Sequence, residues 1–174
     1  MDERYPIGQF TCGETISLED IQRWIEEIKT FPKELREVVE GLGEEMLENT
    51  YREGGWTIRQ LVHHIADSHL NSYIRFKLAL TETNPTIKPY AEDKWAELPD
   101  SSLPIEISLN IIQSLHERWA FLLANLTVAQ HKRNFIHPDS GDIPLEMNVG
   151  LYAWHGNHHL AHIRNAIQKG ASLS

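Results

Sequence analysis

Trp154-His155-Gly156-Asn157-His158-His159-Leu160-Ala161-His162 places four histidines within eight consecutive positions of a stretch that otherwise reads as helix. Each helical residue advances by ~100°, so His155, His158 and His162 fall within about 60° of one another and form a stripe. His158 and His162 stand one turn apart, the i, i+4 spacing by which one helix offers two imidazole nitrogens to a single metal ion. His155 and His159 share that spacing and form a rival pair, turned partly off the stripe. The stripe also holds Leu151 and is flanked by Trp154 and Ala161, which favours burial. Buried imidazoles without partners cost ~1–3 kcal/mol each, and a shared cation removes that cost by using their lone pairs.

A third ligand must come from elsewhere, and His63-His64 is the other histidine-rich segment. Consecutive helical residues diverge by ~100°, so only one of these two can point inward. His64 borders the Leu61/Ile65 face and is preferred; His63 lies further round. His69, near the centre of the same apolar face, reads as a buried structural histidine. His116, His131 and His137 stand alone and read as ordinary. Asp67, one turn after His64, could orient a ligand but reads more simply as a solvated acid, and Asn157 and Asn165 flank the stripe. Cys12 sits in an irregular leader far from any helical histidine, so a Cys/His nucleophilic pair is not expected, and there is neither a glycine-rich phosphate loop nor a Gly-x-Ser-x-Gly elbow.

These residues need helices to place them. Ser17 ahead of Leu18-Glu19-Asp20 predicts a first helix from Leu18 to about Thr30, and Pro32 predicts a fresh start for a second piece through Val38, Val39, Leu42 and Leu47. After Gly54-Gly55, apolar residues recur at helical spacing from Ile58 through Phe76, the strongest helical signal in the chain. Pro85, Pro89, Pro99 and Pro104 mark a long connection. A further helix follows from Ile105 to Leu126, then a turn at His137-Pro138-Asp139-Ser140-Gly141 between short extended pieces, and a last helix from about Met147 to Lys169 that Gly170 is expected to stop. The expected architecture is a single all-α domain over residues 1–174, a four-helix bundle with long connections and a short irregular N-terminal leader.

Composition narrows the function. Sixteen Lys and Arg against twenty-five Asp and Glu give a net charge of −9, and without a cationic face the chain is not expected to bind nucleic acid. Uncharged stretches fall far short of the ~20 apolar residues of a membrane span. The N-terminus lacks a secretory pattern and one cysteine cannot form an internal disulfide, which points to a cytoplasmic setting.

Trp56-Thr57-Ile58-Arg59-Gln60-Leu61-Val62-His63-His64-Ile65-Ala66-Asp67 resembles the second helix of the DinB/YfiT-like superfamily, and His158-His159-x-x-His162 resembles that superfamily's paired ligands on the last helix. The resemblance extends through Asn71 to Lys77, Lys88-Pro89-Tyr90 and His137 to Gly141, and is similar in particular to the Bacillus-type YfiT group, whose members are described as metal-dependent hydrolases. It implies an up-down-down-up bundle, a divalent metal held by three histidines, here His64, His158 and His162, and a homodimer. Three neutral nitrogens leave a coordination position open. Zinc, with nickel as second choice, could there acidify water for hydrolysis of a small-molecule substrate. Some superfamily members are thiol S-transferases that use bacillithiol or a related low-molecular-weight thiol, which makes thiol activation the alternative chemistry. A non-enzymatic metal clamp between helices is the third. Substrate-facing residues are expected from the Pro85–Pro104 and Asn134–Glu146 segments, with Tyr90, Lys88 and Trp95 as candidates.

Overall fold

The computed structural model describes residues 2–172. Ser17 caps the first helix, α1 (Leu18–Val39), in a reciprocal capping box with Asp20. The expected break between Thr30 and Pro32 does not occur: α1 runs straight through Pro32. Proline has no N–H, so the carbonyl of Ile28, four residues earlier, loses its helical partner. The carbonyl is satisfied instead from another helix, by His116 Nδ1 at 2.6 Å. A tertiary donor thus tolerates a proline that local rules would place at a helix start.

A one-turn helix, α2 (Glu44–Leu47), precedes α3 (Ile58–Thr81), which opens with a second capping box between Thr57 and Gln60. Arg59, 7% exposed, ties the two together through ion pairs to Glu44 and Glu48 at 2.6 and 2.7 Å. The proline-rich connection holds one helical turn, α4 (Glu92–Trp95), and a 3-10 turn at Pro99–Ser102. Next come α5 (Ile105–Ala124) and the short α6 (Val128–His131). The predicted turn is the tip of a hairpin, in which β1 (Asn134–His137) pairs antiparallel with β2 (Gly141–Pro144).

The last helix, α7 (Leu145–Ala171), includes Gly170 rather than ending there. A Cβ at Gly170 would lie 2.1 Å from the Asn49 side-chain nitrogen and 2.9 Å from the Met46 sulfur. This glycine therefore serves close packing, not termination. Among the described residues no helix is long and apolar enough to cross a membrane.

The four long helices form the bundle: α1 packs on α5 and α7, and α3 packs on the same two. Their apolar side chains divide into two clusters along the axis. One contains Phe31, Leu61, Ile65, Ile112, Leu160 and Ile163; the other contains Ile28, Phe76, Trp119, Leu123, Val149 and Tyr152. In sequence, His69 falls between Ile65 and Phe76, His116 between Ile112 and Trp119, and His155 between Tyr152 and Leu160. Three helices thus each contribute a histidine where the apolar filling changes over, and the bundle carries a polar layer across its middle.

Candidate metal centre

His64 on α3 and His155 and His159 on α7 each direct a ring nitrogen to a common point, with the three ligand atoms within 4.8 Å of one another. His155 Nε2 and His159 Nε2 are 3.2 Å apart. Tetrahedral coordination with metal–nitrogen bonds of ~2.0–2.1 Å separates neighbouring nitrogens by about 3.3 Å. The residues present therefore suit a divalent cation on an observed distance. His64 and His159 are 4% and 8% exposed, and Trp56 lies against the His64 ring at 4.5 Å.

His63 points elsewhere. Its Nε2 is 2.9 Å from the Leu103 carbonyl, which can only accept, so Nε2 donates and Nδ1 accepts from the Ser108 hydroxyl at 2.7 Å. Arg59 bonds the same carbonyl, so together the two side chains moor the proline-rich connection to α3.

His158 and His162 form a second group, with His159 as its third member. His159 belongs to both, showing Nε2 to His155 and Nδ1 to His162 Nδ1 at 3.3 Å. No group among the described residues joins His64 to both His158 and His162. Those two rings face aromatic neighbours instead: His158 stacks on Trp154 at 4.5 Å and lies 5.9 Å from Tyr5 in the leader, while His162 stacks on Tyr51 at 3.9 Å. His158, His159 and His162 are buried and His155 is half-buried, and it is His155 and His159 that face the nitrogen of His64 across the α3–α7 contact.

Burial sets the electrostatics. It holds His64 down at about 4, with the neighbouring His158 adding to the shift, and pushes His155 and His159 well below the ordinary imidazole value, again chiefly through desolvation. Near neutral pH these rings keep free lone pairs, the form that binds metal.

The orienting group is not Asp67. Burial raises its carboxyl, the nearby Asp100 adds to the rise, and the interacting histidine is His63. Asn157 turns to Glu27 at 3.2 Å. His155 Nδ1 instead meets His69 Nε2 at 3.0 Å, and His69 Nδ1 meets His116 Nε2 at 2.7 Å. Read one residue at a time, His69 and His116 showed no sign of this; their shared spacing from apolar neighbours on two helices was the available signal.

Beside His155 opens a cleft of about 210 Å³ lined by Ser68, Arg75, Tyr90, Glu92, His137 and Tyr152, with Pro89 and Leu151. It brings in Tyr90 from the expected set, but Lys88 and Trp95 do not line it, and it includes His137. The Tyr90 hydroxyl is buried beside the Ser68 side chain. Desolvation, with Asp93 nearby, raises the Glu92 carboxyl above its usual range.

The model of the DinB superfamily matches residues 27–163, which include all the residues that build the site. The chain belongs to the DinB superfamily. Within it, a Bacillus mycoides (strain KBAB4) protein named "Putative metal-dependent hydrolase" is 58% identical over 162 residues, covering 93% of this chain and 94% of that protein. A similarly named protein of Bacillus cereus (strain AH820) is 57% identical over the same length. Among solved structures, YfiT from Bacillus subtilis, described as "a probable metal-dependent hydrolase with an unusual four-helix bundle topology", superposes with a TM-score of 0.95 at 47% identity, covering 98% of this DinB-superfamily chain and 99% of YfiT. The expected four-helix bundle is thus the observed fold.

Proposed function

We propose that this chain is a metal-dependent hydrolase in which His64, His155 and His159 hold one divalent cation, zinc as first choice and nickel as second. The observation that carries the reading is the convergence of three ring nitrogens from two helices, on buried His64 and His159 and half-buried His155, beside an accessible cleft. Three protein ligands would leave a coordination position for water or substrate, and a zinc ion held there would supply acidification of its water toward ~7 and polarisation of a carbonyl. The names of the relatives support the same class. His158 and His162, placed behind His159, serve as its surroundings in this reading.

The chain's own residues supply binding and exclusion of water. At about 210 Å³ the cleft is smaller than the ~300–1,000 Å³ pockets that take drug-sized ligands, so the substrate is small. Arg75 offers a guanidinium to an anionic or carbonyl oxygen, Tyr90 a hydroxyl, and Tyr152 and Leu151 an apolar wall. Trp56 and Tyr152 cover His64 and His155 from either side, at 4.5 and 5.3 Å.

The test is turnover by zinc-loaded protein of measured metal content, on panels of small esters and amides, with and without a low-molecular-weight thiol plus an electrophile. Thiol-independent hydrolysis that disappears on chelation is the expected result. Turnover that depends strictly on the thiol would replace hydrolysis with thiol transfer, and a metal closed off by a fourth protein ligand, with no turnover, would make the site a structural clamp.

A further inference from the structure

We propose that His69 and His116 are positioning residues that lock the tautomer of His155, and that the lock is anchored by the backbone carbonyl which Pro32 leaves free on α1. This rests on the reading of His155 as a metal ligand, but the chain of contacts stands on its own geometry. It runs from the Ile28 carbonyl to His116 Nδ1 at 2.6 Å, from His116 Nε2 to His69 Nδ1 at 2.7 Å, and from His69 Nε2 to His155 Nδ1 at 3.0 Å. The two contacts of His116 are buried, with His69 and His116 at 0% and 1% exposure, and the contact to His155 is part-buried, at the edge of the cleft.

The direction of every bond follows from its first member. A carbonyl only accepts, so His116 must carry its proton on Nδ1. A neutral imidazole has one N–H, which leaves His116 Nε2 as an acceptor and requires the proton of His69 on Nδ1. By the same step His69 Nε2 accepts and His155 carries its proton on Nδ1. The nitrogen left bare at the end is His155 Nε2, the atom 3.2 Å from His159 Nε2 at the candidate metal position. Had the chain begun at a donor, every proton would sit on the opposite nitrogen and His155 would present an N–H to the cation.

The anchor depends on the proline. With an ordinary residue at position 32, the Ile28 carbonyl would accept from the helix's own N–H; Pro32 leaves it for His116. The chain takes one group from each long helix: Ile28 from α1, His116 from α5, His69 from α3 and His155 from α7. Phe31 lies flat against it, 5.5 Å from His116 and 5.8 Å from His69, and Trp119 meets both rings edge-on at 5.7 and 5.9 Å. These aromatic walls bury His69 and His116 away from water that could supply a donor of the wrong sense. The ligand's orientation is thereby set by the packing of the whole bundle, and a histidine that donates its second N–H is also the more basic ligand.

Long-range nitrogen–proton correlation spectra of the full-length, metal-free protein at pH 7.5 read the tautomers directly. His69, His116 and His155 are expected in the Nδ1–H form, and the Nε2–H form at any of the three overturns the lock. Zinc affinity, measured by competition with a chromophoric chelator, gives the second arm. His69→Leu is expected to lower it about 10–100-fold, the range for partners behind metal-binding histidines. His116→Leu is expected to lower it less, and His116→Gln, whose amide can donate to Ile28 and accept from His69, should restore both affinity and the Nδ1–H signal of His69. Unchanged affinity in a folded His69→Leu variant contradicts the positioning role. If the leucine variants do not fold, the wild-type tautomers and the glutamine variant decide. Intact tautomers in a protein that takes up no zinc would remove the metal reading and support the lock.

Discussion

Two histidine pairs on α7 have the same spacing and opposite surroundings. His155 and His159 face α3, where His64 completes a triad and His69 fixes the second nitrogen of His155. His158 and His162 face the leader and the segment before α3, where Tyr5 and Tyr51 cover them, and Trp154 of α7 itself stacks on His158. There His158 Nδ1 is buried without a hydrogen-bond partner among the described residues, while His162 lies against the backbone of Glu3 and Arg4. An i, i+4 pair becomes a coordination site when a facing helix brings a third nitrogen and a neighbour saturates the far side of the ring. Spacing alone does not distinguish the two.

The sharpest way to break this comparison is to remove ligands singly. His64→Ala, His155→Ala and His159→Ala are each expected to purify with little or no divalent metal, because loss of one ligand from three weakens affinity severely. His158→Ala should retain most of it. Elemental analysis against protein concentration checks the set, and retention of metal by His155→Ala with its loss from His158→Ala would exchange the roles of the two pairs.

Stability probes the layer beneath the triad. A Cβ at Gly156 would lie 3.0 Å from the Phe31 ring, which lies against His116 and His69. Gly156→Ala is expected to cost about 1–3 kcal/mol through overpacking, readable as a Tm lower by roughly 2–4 °C per kcal/mol for a chain of this size. Zinc affinity should fall with it, since Phe31 packs against the two imidazoles. A Gly156→Ala variant as stable as wild type would mean that α1 and α7 adjust without disturbing the layer.

Acid gives a graded test of the same layer. Burial lowers His116 to about 4, with the bond to the Ile28 carbonyl opposing part of the shift; its ordinary value is ~6.5. The unfolded chain therefore binds more protons between these values. The stability associated with neutral His116 is complete above about pH 6.5 and is lost as pH falls toward 4, a change on the order of 3 kcal/mol for this group. Urea unfolding of metal-free protein from pH 7.5 to 4.5 should show the decline, and His116→Gln should flatten part of it. A slope unchanged by that substitution would place the acid sensitivity elsewhere.

The smallest effect is expected on the aromatic side. His158→Phe removes a buried, unpartnered nitrogen and keeps a ring against Trp154, so stability should change by less than about 1 kcal/mol in either direction. A large loss, read from the same unfolding curves, would show that His158 has a partner of its own.

Much of this arrangement was legible in the sequence, and the gaps have physical causes. The apolar periodicity from Ile58 and from Ile105 located α3 and α5, and the Ser17 cap located the start of α1. Pro32 misled because its rule is local: a proline mid-helix is costly until something else satisfies the freed carbonyl, and His116 lies 84 residues away in sequence. Gly170 misled for a related reason, since a glycine can end a helix or admit a neighbour, and only the neighbours Asn49 and Met46 decide. The histidine-rich segments announced metal chemistry, and the ring contacts put His64 rather than His63 beside α7. Which of the two pairs on α7 faces His64 depends on a rotation of about 60°, finer than hydrophobic periodicity resolves. The His69–His116 link was invisible because each residue, taken singly, reads as an ordinary histidine.

The central claim is where the cation sits. An anomalous-scattering map from crystals of the full-length protein grown with zinc tests it most directly. The account predicts one strong peak ~2.0–2.1 Å from nitrogens of His64, His155 and His159, with His155 bound through Nε2 and its Nδ1 still on His69. A peak held by His158 and His162 instead would contradict it.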